Sequence, residues 1–391
     1  MDHERIRLVG RIFSPSAPVS HQDLFIGRDR EIRRIVGSLN EAGQHVVLYG
    51  ARGAGKTSLA NVMMAYVQNV ICAKITCTRS DTFSSMWTKV LGKVRIAMRR
   101  KGVGFMESEE EVGVHLPELL PNPEDVQAVD IENIIEQIQH PMFFIFDEFD
   151  TITDEESQRK MADTLKLLSD NVSYATVMIV GISESVENLI GEHPSLERCL
   201  NQIDLTLMNK QELTSVITQG LAYTELEMHA DLVQKVVDFS VGYPHYVHLL
   251  MKHAATEALY DESDNIGENH LQYAVRESVK GMNKSMQNAY RKAVASSRKQ
   301  NQFMHVLNAC ALAPTDEQEA FEANDILKPF AQVTGKEVTA ESVNYNLGML
   351  CKEERGSILM KVGQSPKSRY RFTNPLMKAF VRLQMYHNKN E

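Results

Sequence analysis

Charge-free apolar runs alternate with helix-period apolar stripes along the first half of the chain. Residues 45–49 (HVVLY), 142–146 (MFFIF) and 175–182 (ATVMIVGI) hold no acidic or basic residue beyond His45. Such runs suit parallel strands buried on both faces. A β-rich run over 70–78 and a shorter one over 203–207 add two further strands. Between them lie helical patterns: Ile32, Ile35, Val36 and Leu39; residues 58–67; a stripe of Phe83, Met86, Trp87, Val90, Leu91 and Val94 over 82–101; a helix opened by Pro123; and residues 154–168. Residues 102–121, with the acidic run 107–111, read as a surface insertion. The pattern predicts an open parallel α/β sheet.

From Asn209 the pattern is helical to about Lys280, in segments 213–221, 229–240, 245–259 and 268–279, and predicts a four-helix lid. Asn209 with Glu212 has the spacing of a capping box, and Gly242-Tyr243-Pro244 stops one helix and starts the next. Residues 302–312, 323–333 and 339–354 are helical again. Two strands at 357–362 and 369–372 follow, joined by a turn over 363–368, which predicts a small winged-helix domain with 339–354 as recognition helix. Lys361, Lys367, Arg369 and Arg371 would lie on its wing, where cations suit phosphate contacts to DNA. Docking of a protein on the same module is the other reading. The expected divisions are an N-terminal lead-in (1–22), an α/β domain (23–207), a lid (208–283) and the winged helix (284–391).

Chemistry enters at the end of the first strand. Gly50-Ala51-Arg52-Gly53-Ala54-Gly55-Lys56-Thr57 matches G-x-x-x-x-G-K-[ST] between a strand and a helix. Glycines there let the backbone turn its N–H groups onto a phosphate, and the helix entered at Thr57 and Ser58 adds its positive end. Lys56 would reach the β and γ phosphates of a nucleotide, and Thr57 would ligate Mg²⁺. The run 142–146 ends in Asp147-Glu148, at the rim where open α/β sheets bind ligands. Asp147 would hold Mg²⁺ through water, and Glu148 would be the base that activates a water for attack on the γ-phosphate. Ser183, at the end of the strand expected between those two, would sense the γ-phosphate or position the lytic water. Phe25 and Ile26, ahead of the first strand, would either contact the base or pack into the core. Arg198 precedes the fifth strand, as an arginine reaching a neighbouring subunit's nucleotide would, or is an ordinary surface arginine.

Composition narrows the setting. Of 391 residues 43% are hydrophobic and 24% charged, as for an ordinary globular chain of two or three domains. No stretch approaches the ~20 apolar residues of a membrane helix, and the N-terminus carries charge where a secretory signal needs an apolar run, so a cytoplasmic location is expected. Five scattered cysteines offer no metal spacing and read as reduced, buried thiols. The net charge of −9 is unevenly spread: residues 284–391 carry 16 Lys and Arg against 10 Asp and Glu, a net of +6, and the preceding 283 residues carry 26 against 41, a net of −15. A nucleic-acid surface is therefore to be sought at the C-terminus.

These motifs together resemble the AAA+ ATPases, in the branch of the origin-recognition and replication-initiator ATPases, with a looser likeness to the signal-transducing STAND ATPases. The box Ile26-Gly27-Arg28 with Glu31, the phosphate loop, Asp147-Glu148 and Gly181-Ile182-Ser183 carry the likeness. It implies ATP and Mg²⁺ as ligands, slow or partner-stimulated hydrolysis, a homo-oligomer, and a conformational or oligomeric switch acting on double-stranded DNA or on a DNA-bound complex. The STAND alternative is a regulator of a protein effector. The chain departs from the initiators in carrying Ser183 where they carry asparagine. It also has Gly242-Tyr243-Pro244-His245 where their lid holds an arginine; the resemblance places Pro244 and His245 beside the nucleotide.

Overall fold

The computed structural model describes residues 3–15, 25–101, 109–182, 196–296, 302–316, 318–363 and 368–390. Two compact units emerge: Pro18–Leu207, and Met1–Ala17 together with Met208–Glu391.

The first unit is built on five parallel strands, β1 (His45–Tyr49), β2 (Ile71–Thr76), β5 (Met142–Asp147), β6 (Ala175–Val180) and β7 (Leu200–Asp204), in the order β2-β5-β6-β1-β7. The strand after the acidic pair thus lies between the two motif strands, as the sequence predicts. Period-2 alternation divides the buried side chains between two cores. Phe144, Phe146, Val177, Ile179 and Val47 face one cluster, with Trp87 and Met86 of helix α4 (Phe83–Leu91) and with α5 (Ala128–Ile138) and α6 (Glu155–Asn171). Phe143, Ile145, Met178, Val180, Val46 and Leu48 face the other, under α2 (Asp29–Asn40) and α3 (Lys56–Tyr66). Trp87 anchors the first cluster, its ring edge-on to Phe144 and Phe146 at 5.5 and 5.1 Å between centroids. His45 ties β1 to helix α6 and to strand β6: Nε2 meets the Leu165 carbonyl at 2.8 Å, and Nδ1 accepts from Val177 N–H at 3.1 Å.

Three sequence expectations give way here. The helix over 82–101 stops at Leu91, one residue of the apolar stripe short of its end: Lys93 and Val94 turn back onto the carbonyls of Val90 and Leu91. Residues Arg95–Lys101 (β3) instead pair antiparallel with Glu109–His115 (β4), so part of the expected insertion is a hairpin, followed by a 3₁₀ turn at Leu116–Leu119. The fifth strand also lies a few residues earlier than 203–207.

The second unit is helical. Helices α7 (Lys210–Thr224), α8 (Ala230–Ser240), α9 (Pro244–Tyr260) and α10 (Glu268–Gly281) are joined partly through a short parallel pair, β8 (Glu227–Met228) and β9 (Asn265–Ile266). Asn209 and Glu212 form the capping box of α7, and Pro244 occupies the first turn of α9. The lead-in carries a helix that the sequence pattern does not announce: His3–Ile12 form α1, with Val9, Ile12 and Phe13 buried. Gly220 of α7 makes room for it, since a Cβ there would stand 2.3 Å from Phe13 Cζ. Beyond Asn283, α11 (Lys284–Val294) leads to α12 (Gln302–Leu312), α13 (Leu327–Thr334) and α14 (Ala340–Leu350). The hairpin β10 (Leu359–Val362) and β11 (Arg369–Phe372) and a closing α15 (Met377–Asn390) complete the unit. α14 is shorter than the expected 339–354 because a 3₁₀ turn, Glu353–Arg355, follows Cys351. Tyr243 donates to both carboxylate oxygens of Glu319 (2.7 and 2.9 Å), and Arg382 reaches the carbonyls of Ala311 and Asp238 (2.8 and 2.7 Å), so the four-helix part and the C-terminal part share a partly buried polar seam. All five cysteines are free; Cys72 and Cys351 are only half-buried.

Candidate nucleotide site

The loop between β1 and α3 is shaped by backbone that only glycine adopts readily. Gly50, Gly53 and Gly55 have φ of 136°, 86° and 101°. Gly50 is also sterically required, because a Cβ would lie 2.6 Å from the Leu205 carbonyl oxygen. Gly55 caps α3 and opens its N-terminus toward the loop. Ala54 is buried, Arg52 is exposed, and Ala51, Gly53, Thr57 and Ser58 are half-buried.

Lys56 folds back over this loop, its ammonium donating to the carbonyls of Gly50 and Ala51, both at 2.8 Å. Burial lowers its pKa to about 8, against the opposing pull of Asp150, Asp147 and Asp204. Across from it, β5 delivers Asp147. Its Oδ1 accepts from the Thr57 hydroxyl (3.3 Å) and from Glu148 N–H (3.0 Å). A hydroxyl on α3 and a carboxylate on β5 thus converge, the donor set that suits Mg²⁺ with a nucleotide's phosphates supplying further oxygens. Glu148 is exposed and takes the left-handed conformation (φ 56°), a local strain of the kind stored at functional turns. The structure therefore brings together Gly50 to Ser58, Asp147 and Glu148.

The other predicted residues have these surroundings within their own units. Phe25 packs against the core under α2 and α3, and Ile26 is half-buried. Arg198 is paired with Asp170 on the surface of the same unit. Pro244 and His245 belong to the helical unit, where His245 Nδ1 lies 3.2 Å from the Pro15 carbonyl and burial lowers its pKa. Ser183 and Lys367 lie outside the described residues. On the hairpin, Lys361 is exposed; Arg369 is ion-paired to Asp316 at 2.5 Å and bonded to Gln318; Arg371 Nε rests on Met360 Sδ at 3.5 Å.

Three contributors escape a reading by motif. Arg28, only 2% exposed, donates to the carbonyls of Ala54 and Thr206 and so ties the phosphate loop to the end of the sheet. Asp150 accepts from Ile182 N–H at 2.8 Å and fixes the chain leaving β6. Lys74 of β2 stands 2.9 Å from Asp147 Oδ2. Arg28 had a signal, the box with Glu31; Lys74 had none beyond a cation inside a strand.

A phosphate loop, an opposed Asp-Glu pair and a parallel sheet with the intervening strand between them define the P-loop nucleotide hydrolases of AAA+ type. The family model for novel STAND NTPase 1 matches residues 18–328, and the chain belongs to that family. Of the two likenesses read from the motifs, the STAND one is thus the one a family model carries. No curated protein matches the chain. Among solved structures, the Walker-type ATPase paby2304 of Pyrococcus abyssi is similar over 95% of this chain and 99% of its own, at 14% identity and a TM-score of 0.54. The ORC2 protein of Aeropyrum pernix, in ADPNP–ADP complexes, is similar over 96% and 98%, at 13% identity and a TM-score of 0.49. Among the described residues, no helix is long and apolar enough to cross a membrane.

Proposed function

We propose that the protein binds ATP with Mg²⁺ and hydrolyses it to drive a conformational or oligomeric switch. The observation that carries this reading is the convergence of Lys56, Thr57 and Asp147 at one rim of a parallel sheet. Lys56 would exchange the carbonyls of Gly50 and Ala51 for phosphate oxygens. Thr57 and Asp147 would hold the metal, which neutralises phosphate charge when bound. Glu148 would accept the proton of the attacking water, and its exposure leaves it free to do so. Arg198 would leave Asp170 for a neighbouring subunit's nucleotide in an oligomer. Calorimetric titration of ATP with and without Mg²⁺ tests the reading; absence of heat in both would reject it.

The C-terminal three helices and hairpin support a winged helix as output module, acting on DNA or on a DNA-bound complex. One observation favours the alternative, a protein effector. Helix α14 contains no Lys or Arg, its exposed positions include Glu341 and Tyr345, and the cation of Arg369 is already paired with Asp316. Duplex binding measured against salt separates the two, because each neutralised phosphate adds about −0.9 to the log–log slope. A steep loss with salt supports DNA; no binding at low salt supports a protein partner.

A further inference from the structure

Asp147 is held at both oxygens, and by unlike partners. Oδ1 faces Thr57 and the Glu148 N–H. Oδ2 is buried, finds no aligned hydrogen-bond donor, and sits 2.9 Å from the ammonium of Lys74. Lys74 reaches it from β2 with its side chain 11% exposed, and its ammonium is also tethered to Asn61 Oδ1 of α3 at 2.5 Å. On the same strand face, two residues back, Cys72 packs against the apolar cluster under α3. A lysine buried on such a face loses hydration and is kept only with a compensating charge. The carboxylate expected to serve the metal therefore already owns a cation.

We propose that Lys74 is a resident counter-ion of Asp147, a positioning residue that makes the grip on nucleotide phosphates largely independent of Mg²⁺. This inference rests on the ATP reading of the same site. Two electrostatic effects act in the same direction. Without metal, Lys74 neutralises the carboxylate that would repel an incoming triphosphate, a repulsion that Asp150 and Asp204 would otherwise reinforce around Lys56. With metal, Lys74 opposes a second cation at Asp147 and blunts the gain. Lys74 also spends Oδ2, so that Oδ1 is the oxygen left facing Thr57. If Lys74 were only a strut between β2 and α3, its loss would lower the melting temperature and leave the metal dependence of nucleotide binding unmoved.

The test is the ratio of dissociation constants for the non-hydrolysable analogue AMP-PNP in EDTA and in saturating Mg²⁺, measured by calorimetry on the full chain. Lys74→Met should raise that ratio about tenfold or more over wild type, mainly by weakening metal-free binding. Lys74→Arg, which keeps the charge, should restore the wild-type ratio. Lys74→Gln keeps a polar bond to Asn61 without the charge and should behave as Lys74→Met, which covers the case in which the methionine variant does not fold. An unchanged ratio in a folded Met or Gln variant overturns the proposal. Wild type that binds AMP-PNP under neither condition overturns the ATP reading and this inference with it, and is recognisable because it appears before any substitution is made.

Discussion

The guanidinium of Arg28 donates to the Thr206 carbonyl at 2.7 Å, joining residues 178 positions apart in the chain. Its same nitrogen reaches the Ala54 carbonyl at 3.2 Å, and Glu31 lies 3.8 Å away. The box ahead of β1 thus closes the back of the phosphate loop rather than simply leading into the sheet. Arg28→Met leaves two carbonyls without this donor and should cost about 2–4 kcal/mol of stability. Because Ala54 is in the loop, ATP affinity should fall as well. Denaturant unfolding and nucleotide titration check this; an equally stable variant with unchanged affinity would show the contacts to be idle.

Glu148 and Lys56 should separate chemistry from binding. Glu148→Gln removes the base while keeping shape and exposure, so nucleotide should bind with near wild-type affinity while steady-state turnover falls by about 10²-fold or more. Lys56→Ala removes the ammonium over the loop and should abolish both. Phosphate release and bound nucleotide, counted on the same preparations, read the two effects. Normal turnover in Glu148→Gln would strip that residue of its role.

Most of the sheet and half of the site were legible because they are local. Glycines at Gly50, Gly53 and Gly55, a lysine next to a threonine, and two acids after five apolar residues announce themselves within a few positions. The alternation of MFFIF and ATVMIV dictates strands with two covered faces wherever they sit. What escaped is long-range. Nothing near Arg28 in the chain points to Thr206, and nothing near Lys74 points to Asp147 across a strand pair. The stripe from Phe83 to Val94 has helical spacing to its end, and only Gly92 and the turn after it show that residues 95–101 must find another chain segment. Helix α1 was invisible for the same reason: its partner surface, the notch at Gly220, is more than 200 residues away.

That notch gives a sharp packing test. A Cβ at Gly220 would stand 2.3 Å from Cζ and 2.5 Å from Cε1 of Phe13, so Gly220→Ala must push the ring out. The expected cost is about 1–3 kcal/mol, as for other overpacked sites. Phe13→Leu in the same chain should recover part of it, with a coupling of about 1 kcal/mol or more between the two positions. Additive effects in the double-mutant cycle would mean that α1 does not dock through this contact.

Acid should loosen both units through buried neutral histidines. Burial lowers the pKa of His45 to about 4, against the Leu165 hydrogen bond that favours protonation; burial likewise lowers His248 to about 4, helped by His245. Both folded values lie below the ordinary 6.5, so between the two the unfolded chain binds more protons, and stability falls as pH falls. Above pH 6.5 neither residue contributes. By pH 4 each has cost about 3 kcal/mol. His45 sits in the sheet unit, where protonation also forfeits the bond its Nδ1 accepts from Val177 N–H, and His248 in the helical unit, so neither unit is spared. Chemical denaturation at pH 7.5, 6, 5 and 4.5 should show a midpoint that is flat at first and then drops. A midpoint that holds steady to pH 4.5 would mean the rings reach water before the chain unfolds.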